Sequence, residues 1–337
     1  MDLIPEMYRR PPAFFVIGMA GAGKTTFVQR LAAEIGLETT SYAIRPRISA
    51  DVIPKRPAVI NLDPAVMNVP YTPVVDIRDS FSIGDLMKRH GWGPNGAIMT
   101  CLNLFATRID ELDTLLRRRA ERSSCFLFDT PGQVEVFTWS ASGEIIANFF
   151  GAAYPTALLY VLDSERCANP VTFVASMMYC CSIIQRMSLP LLIVFNKDDL
   201  VGPDLREGGH ELSWRAPWVY MEDETVLCEA FDALRIANVN EIAYSESFYD
   251  SLRDVLQEFY SLINYIHVSS FTGENFHSLT ERLRAMCVRY VEEAPERIRR
   301  AEQAKVKART QVRNDPLGLF SDRPTTTDSS DDPDAIE

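Results

Sequence analysis

Short apolar runs alternate along the chain with longer stretches whose apolar residues recur every three to four positions. The runs predict buried β-strands, and the longer stretches predict amphipathic helices. The predicted strands are Ala13–Gly18, Ala58–Asp63, Cys125–Asp129, Ala157–Leu162, Leu191–Phe195 and Ile266–Val268. The predicted helices are Lys24–Ile35, Ser82–His90, Met99 or Cys101 to Glu121, Ser142–Phe150, Val171–Met187, Phe248–Leu262 and Phe276–Glu293. This alternation predicts a doubly wound, mostly parallel sheet in a three-layer α/β/α fold with helical insertions.

Segments without clear periodicity separate these elements. We expect peripheral insertions at residues 37–56 and 201–240, the first of them a loop, and a tight irregular loop at Gly91–Gly96. Residues 1–12 form a lead-in, and residues 13–293 form the folded domain. Residues 294–337 form a charged extension, which we expect to be largely disordered after residue 315 because it is rich in Pro, Asp, Ser and Thr.

Composition narrows the kinds of partner. The formal net charge of -12 and the pI near 5.0 argue against direct binding of nucleic acid, which favours a basic surface. No apolar run approaches the length of a membrane span, so we expect no membrane insertion. The seven cysteines lack Cys-x-x-Cys spacing, which favours a reducing compartment such as the cytoplasm.

The clearest motif follows the first predicted strand. Residues Gly18–Thr25 satisfy the phosphate-loop pattern G-x-x-x-x-G-K-[ST] at every fixed position. In such a loop, backbone N–H groups and the next helix's N-terminus bind phosphate oxygens, while the lysine reaches the β- and γ-phosphates and the threonine ligates Mg²⁺. The sequence therefore predicts a P-loop NTPase fold that binds a nucleoside phosphate through Gly18, Met19, Ala20, Gly21, Ala22, Gly23, Lys24, Thr25 and Thr26.

A second motif, Asp129-Thr130-Pro131-Gly132-Gln133, follows the third predicted strand. An aspartate at a strand end holds Mg²⁺ in P-loop enzymes, directly or through water, so Asp129 is a candidate metal ligand. Gly132 is a candidate N–H donor to the γ-phosphate, at a position where a side chain would crowd the approach. Gln133 can orient an attacking water, because its amide both donates and accepts hydrogen bonds. Together with the phosphate loop, this motif predicts nucleotide hydrolysis.

The sequence Asn196-Lys197-Asp198-Asp199 follows the fifth predicted strand and matches N-K-x-D. A carboxylate at Asp199 accepts both the ring N–H and the exocyclic amine of guanine, whereas adenine presents an acceptor in place of the ring donor. Asn196 would tie this loop to the phosphate loop, and the Lys197 stem would cover the base. Guanine is therefore the predicted base. The segment after the last strand, Ser269, Ser270 and Phe271, is either an accessory loop that contacts the base or an ordinary strand-to-helix cap.

Two further features have more than one interpretation. Asp63 ends the second predicted strand, where its carboxylate is either a general base, water-orienting group or Mg²⁺ ligand, or a simple turn residue before proline. The composition of Gly93-Pro94-Asn95 predicts only a turn.

In this order, the motifs closely resemble those of the GPN-loop GTPases. The resemblance spans about residues 13–293 and is carried by Asn61–Ala65, Gly93–Ala97, Asp129–Glu135 and Ser269–Gly273. The wording of Gly18–Gly21 and Trp139–Gly143 is most similar to the first of the three eukaryotic paralogues.

The resemblance has several implications for this chain. It implies binding of GTP, GDP and Mg²⁺, and a homodimer or a heterodimer with a paralogue. Gly93, Pro94 and Asn95 would act in trans near the γ-phosphate, and the water-positioning set would be Asp63, Gln133 and Glu135. Mg²⁺ would be held by Thr25 and Asp129. The resemblance also implies assembly and nuclear import of RNA polymerase II, with RNA polymerase II subunits or assembly factors as partners and shuttling between cytoplasm and nucleus.

An alternative is an assembly scaffold that is stabilised by nucleotide and whose hydrolysis is vestigial. The presence of Asp63, Asn95 and Gln133 favours the hydrolysing switch, because a scaffold needs only the binding residues. The N-K-x-D sequence disfavours an ATP-dependent kinase.

Overall fold

The computed structural model describes residues 10–43, 55–209, 214–237, 260 and 263–296. The chain divides into two units, Met1–Val291 and Glu292–Glu337. The sheet and the candidate site lie in the first unit. No helix among the described residues is both long and apolar enough to cross a bilayer.

A seven-stranded sheet forms the centre of the first unit, with strand order β3-β2-β4-β1-β5-β6-β7. Every pair of neighbouring strands is parallel, which confirms the predicted fold class. The strands are β1 (Ala13–Gly18), β2 (Arg56–Asn61), β3 (Val75–Asp76), β4 (Ser123–Asp129), β5 (Thr156–Asp163), β6 (Leu191–Asn196) and β7 (Asn264–His267). The two neighbours of β1 lead to opposite halves of the sheet, so the carboxyl end of β1 lies where ligands bind in doubly wound sheets.

Helices and short helical turns connect the strands. They are α1 (Lys24–Ala43), α2 (Ile77–Ser80), α3 (Ile83–His90), α4 (Pro94–Ala106), α5 (Ile109–Arg119), α6 (Val134–Thr138), α7 (Ala141–Ala153), α8 (Ser164–Cys167), α9 (Pro170–Met187), α10 (Pro203–Glu207), α11 (Pro217–Glu222), α12 (Glu224–Ala237) and α13 (Phe276–Glu292). Single 3₁₀ turns lie at Ala120–Arg122 and Asp198–Leu200.

Aromatic side chains pack against the sheet. On one face, Phe15 is fully buried and stacks on Phe128, with ring centroids 4.4 Å apart, and on Phe137. In a second cluster, Phe27 of α1 contacts Phe276 of α13 at 5.5 Å. Burial of such large apolar surfaces is the main favourable term in folding. It fixes the strand ends that carry the site.

The predicted loop at residues 37–56 is wrong at both ends. Helix α1 continues to Ala43, and β2 already begins at Arg56; the intervening residues 44–54 lie outside the described residues. The threonines that weakened the apolar period after Leu37 lower helix propensity only slightly, and the first proline comes at Pro46. Residues 201–240, which we predicted to be a peripheral insertion from their weak periodicity, contain the short helices α10 and α11 and the longer helix α12. The predicted helix Phe248–Leu262 falls almost entirely outside the described residues.

The predicted loop at Gly91–Gly96 is also shorter than expected. Helix α4 begins at Pro94, with Gly93 as its N-cap, so Asn95 lies in the first helical turn. Proline suits this first position because its missing N–H has no partner within a helix. The single helix that we expected up to Glu121 is two helices, which separate where the Thr107 hydroxyl bonds the Leu104 carbonyl.

Candidate functional site

The phosphate-loop sequence is a tight turn between β1 and α1. Gly18 and Gly23 have φ angles of 152° and 86°. A Cβ at Gly18 would lie 2.2 Å from the Val161 carbonyl oxygen, and a Cβ at Gly23 would lie 2.8 Å from the Asn196 side-chain nitrogen. Only glycine fits so close to these neighbours. Met19, Ala20 and Gly21 are exposed, and Lys24 and Thr25, followed by the exposed Thr26, begin α1. The loop therefore exposes its central residues to solvent at the N-terminus of a long helix.

Lys24 is 6% exposed and directs its amine into this loop. Its Nζ donates to the carbonyl oxygens of Gly18, Met19 and Gly132, at 2.8, 3.1 and 3.2 Å. Burial lowers the pKa of Lys24, and nearby carboxylates, first among them Asp129, oppose that shift. A buried amine surrounded by neutral carbonyls can exchange these contacts for phosphate oxygens.

Asp63 follows β2 and reaches the Asp129–Gln133 motif. Its carboxylate accepts hydrogen bonds from the Gly132 N–H at 3.1 Å and the Ala65 N–H at 2.9 Å. Burial raises the pKa of Asp63, while these backbone donors oppose the shift. The Gly132 N–H, which we predicted to bind the γ-phosphate, is thus bonded to Asp63 in this conformation. Asp63, a predicted water-orienting group, and Gly132, the predicted γ-phosphate donor, are therefore in direct contact.

Asp129 ends β4 inside the site and is 1% exposed. One oxygen accepts the Tyr71 hydroxyl at 2.6 Å, and the other has no hydrogen-bond partner among the described residues. Burial raises the pKa of Asp129 to about 6, although hydrogen bonds from Tyr71 and Thr25 oppose the shift. Tyr71 lies in a turn-rich segment, where nothing in the sequence marked it as a site residue.

These oxygen atoms fit Mg²⁺. The ion takes oxygen ligands and usually combines one or two carboxylates with water and substrate phosphates. An unpartnered buried carboxylate oxygen on Asp129, the nearby Thr25 hydroxyl and the Asp63 carboxylate form such a set. No cluster of three or more Asp, Glu, His or Cys side chains in the described part of the chain suggests a metal site made by protein alone.

Gln133 and Glu135 lie on the next turn of chain. Gln133 is exposed as the N-cap of α6, and its side chain makes no capping hydrogen bond. Glu135 is half-buried, accepts a hydrogen bond from the Tyr179 hydroxyl and interacts electrostatically with Lys24. Gly93, Pro94 and Asn95 are exposed at the start of α4. No hydrogen bond joins the Asn95 side chain to the phosphate loop in the described part of the structure.

The N-K-x-D segment contacts the phosphate loop directly. Asn196 donates to the Ala22 carbonyl at 2.9 Å and accepts from the Ser270 N–H and hydroxyl at 3.1 and 2.7 Å. The Asp199 carboxylate accepts the Ser269 hydroxyl at 2.5 Å. Asn196 therefore links the N-K-x-D loop to the phosphate loop, as the sequence predicted, and also to the loop that contains Ser270.

The remaining base-side residues differ in their exposure and contacts. Lys197 has a φ of 65° and forms an ion pair with Asp163 at 2.7 Å. Asp163 was visible in the sequence as a strand-end aspartate, but its ion pair with Lys197 was not predicted. Phe271 is 84% exposed, so most of its side chain faces solvent in the described structure.

Comparison with known proteins identifies the family. The family described as "Conserved hypothetical ATP binding protein" matches residues 47–287. GPN-loop GTPase 1 of Schizosaccharomyces pombe is 33% identical over 324 residues, which cover 96% of this chain and 82% of the relative. The chain belongs to the GPN-loop GTPase family.

A second relative is matched over a smaller part of its own length. GPN-loop GTPase 1 of Saccharomyces cerevisiae is 40% identical over 260 residues, or 77% of this chain and 62% of the relative. A GTPase from Pyrococcus abyssi, solved in its apo form, has a TM-score of 0.61 at 22% identity and covers 81% of this chain and 96% of the solved chain. This likeness supports the fold alone. The resemblance predicted from the motifs is confirmed.

Proposed function

We propose that this chain is a Mg²⁺-dependent GTPase that binds GTP, hydrolyses it to GDP and works as a dimeric switch. The observation that carries the proposal is the direct link between the two predicted nucleotide loops. Asn196 holds the N-K-x-D segment against Ala22 of the phosphate loop, so a base and its phosphates can be bound together. Such a link serves a nucleotide that spans both loops.

The base-side geometry favours guanine. Asp199 is fixed by Ser269 and retains acceptor capacity for the two adjacent donors of guanine. Adenine lacks the ring donor, and a site built to pair with donors rejects such an analogue by roughly 10⁴-fold. The family description mentions ATP, whereas the yeast relatives are named GTPases. The Asp199 carboxylate supports the second of these descriptions.

The phosphate side supplies the groups that hydrolysis needs. Lys24 would bind phosphate oxygens, and Asp63 and Gln133 would orient water, assisted by Glu135. Thr25 and Asp129, with Asp63 nearby, would hold Mg²⁺, which neutralises developing phosphate charge when bound. Opening the Asp63–Gly132 contact would free the Gly132 N–H for the γ-phosphate. In this proposal, the conformation in which Asp63 accepts the Gly132 N–H is therefore one end of the switch.

The dimer and the cellular role rest on the family resemblance. Asn95 is exposed at the start of α4, which suits a side chain that completes the site of a second subunit. That subunit would be a second copy or a GPN-loop paralogue. The clients would be RNA polymerase II subunits or assembly factors, met in the cytoplasm with shuttling to the nucleus. The proposed domain, 13–293, would carry the switch, and 294–337 would form an extension.

The test is steady-state hydrolysis of GTP and ATP by the full chain, wild type and Gln133→Ala. We expect GTP to be strongly preferred, and the variant to lose about 10²-fold in kcat, because water activation contributes at least that much. Gln185→Ala, an exposed glutamine on α9, is the matched control and should retain wild-type turnover. Equal rates with ATP and GTP would contradict the base assignment. Unchanged turnover in Gln133→Ala would contradict the water-positioning role and favour the scaffold alternative.

A further inference from the structure

The variable position of the N-K-x-D segment is occupied by Asp198, whose carboxylate is completely buried. Its Oδ1 lies 2.5 Å from an Arg206 guanidinium nitrogen, and its Oδ2 lies 2.9 Å from His267 Nδ1. Arg206 donates to this carboxylate, and His267 donates in the tautomer that carries its proton on Nδ1. Asp198 therefore points toward Arg206 and His267 and anchors its loop to them.

Arg206 belongs to α10, in the insertion after β6, and its side chain also donates hydrogen bonds to backbone carbonyls of the same loop. Besides the Asp198 carboxylate, it donates to the Asp198 carbonyl at 2.9 Å and the Val201 carbonyl at 3.0 Å. Trp218 of α11 covers this arrangement: its ring stacks on His267 with centroids 4.4 Å apart, and Arg206 lies 5.6 Å from its centroid. Asp198, Arg206, Trp218 and His267 form a cluster that we name the base-loop brace.

The brace lies directly beside Asp199, the residue proposed to bind guanine. Lys197, with its φ of 65°, and Asp199 flank Asp198 directly. The Asp198 N–H also bonds the Val268 carbonyl at 3.1 Å. The backbone before Asp199 is thus held by β7 on one side and by the insertion on the other.

We propose that the base-loop brace positions Asp199 for guanine, and that the insertion around residues 203–222 thereby sets nucleotide affinity and base discrimination. This inference rests on the proposed function. Its physical basis is preorganisation: a loop already held in the binding conformation loses less entropy when the nucleotide binds. Removing Arg206 leaves a buried carboxylate with half of its partners, which drives the loop to rearrange toward water.

The test measures binding of GDP and inosine diphosphate, which lacks the exocyclic amine of guanine, by full-length wild type and Arg206→Ala. We expect the variant to bind GDP about tenfold more weakly, because it loses the charged hydrogen bond to the buried Asp198 carboxylate and two hydrogen bonds to loop carbonyls. The preference for GDP over inosine diphosphate should shrink, and kcat for GTP should change less than GDP affinity, because no hydrogen bond joins a brace residue to Gly18–Thr25 in the described part of the chain. Arg206→Lys keeps the charge but not the fork of donors, so it should recover only part of the affinity.

Arg186→Ala is the matched control. Its side chain has the same 40% exposure as that of Arg206 and pairs with Glu144 on α7, away from the base loop. Asp198→Asn provides a second route, since it removes the charge and keeps the size; if Arg206 acts through Asp198, the double variant should be no weaker than the weaker single variant.

The outcomes separate the two levels of the proposal. Wild type that binds ADP as tightly as GDP would overturn the proposed function itself. If wild type prefers GDP but Arg206→Ala behaves like Arg186→Ala, the positioning role is wrong. A fall in GDP and inosine diphosphate affinity by equal factors, together with a lower Tm, would likewise overturn it, because a purely structural role affects both nucleotides alike.

Discussion

The base side of the site and the start of α4 differ in how their polar groups are partnered. On the base side, Asn196 and Asp199 are hydrogen-bonded to Ser270, Ser269 and the phosphate loop within the same chain. At the start of α4, the exposed Asn95 has no side-chain hydrogen bond to any described residue. Both segments carry family motifs, but only the base-side residues are hydrogen-bonded to other parts of the same chain.

This difference separates binding from catalysis. Groups that are already oriented bind a ligand without further ordering, so base recognition should be complete in one subunit. The exposed Asn95 has no such support within the chain, and in the proposed dimer a second subunit would supply it. We therefore expect base-side variants to change affinity in any oligomeric state, and Asn95 variants to change turnover only through a second subunit.

The largest effect should come from Asp199→Ala. Loss of the carboxylate removes both acceptors for guanine, so GTP affinity should fall by roughly 10³-fold and the preference over ATP should approach one. Competition between labelled GDP and unlabelled GTP or ATP measures both quantities.

The control for this variant is Glu207→Ala, an exposed carboxylate at the end of α10. It removes the same charge without touching the base loop, so its nucleotide affinities should match wild type. Retained guanine preference in Asp199→Ala would show that another residue reads the base.

Asn95→Ala should have the next largest effect, and its effect should lie in turnover. Removal of one hydrogen-bond donor near developing phosphate charge costs about 10²-fold or more in kcat, with KM unchanged. In mixtures with inactive Lys24→Ala subunits, activity should partly return, because mixed dimers contain one site with both Lys24 and a partner's Asn95. Steady-state GTP hydrolysis across mixing ratios measures the return.

Asn103 is an exposed asparagine further along α4, so Asn103→Ala makes the same change of side chain on the same helix away from the Gly-Pro-Asn segment. It should leave turnover unchanged. Mixed dimers that form, by native mass spectrometry, without any regained activity would contradict a role for Asn95 in trans.

The sequence predicted three strand ends to within one residue, because apolar runs followed by Asp129, Asp163 and Asn196 mark buried parallel strands. The second strand was predicted to end at Asp63, but β2 ends at Asn61. Motif spacing then placed Lys24 and Asn196 in one site, where the structure joins their loops. Both inferences depend on local signals: a run of apolar residues, and glycines where only glycine fits.

Contacts between distant segments could not be predicted in the same way. Tyr71 reaches Asp129 from a segment with no periodic pattern, and Arg206 reaches Asp198 from a short helix that begins at a proline. Each pairing depends on how an irregular segment folds back over the sheet, which residue types alone do not encode. The start of α4 was missed for a related reason, since Gly93-Pro94 is equally compatible with a turn and a helix N-terminus.

The smallest effect should come from Ser269→Ala, which leaves Asp199 and Asn95 in place and removes a hydroxyl that donates to Asp199 and accepts the Thr272 N–H. Ser269 is fully buried and donates to Asp199, so its loss frees the carboxylate to rotate without removing it. GDP affinity should fall about fivefold to tenfold, with kcat unaffected. Ser278→Ala, on the exposed surface of α13, should match wild type. If Ser269→Ala binds GDP as tightly as wild type, Asp199 does not need Ser269 to orient it. Base recognition would then depend on the presence of the carboxylate and not on its preorganisation.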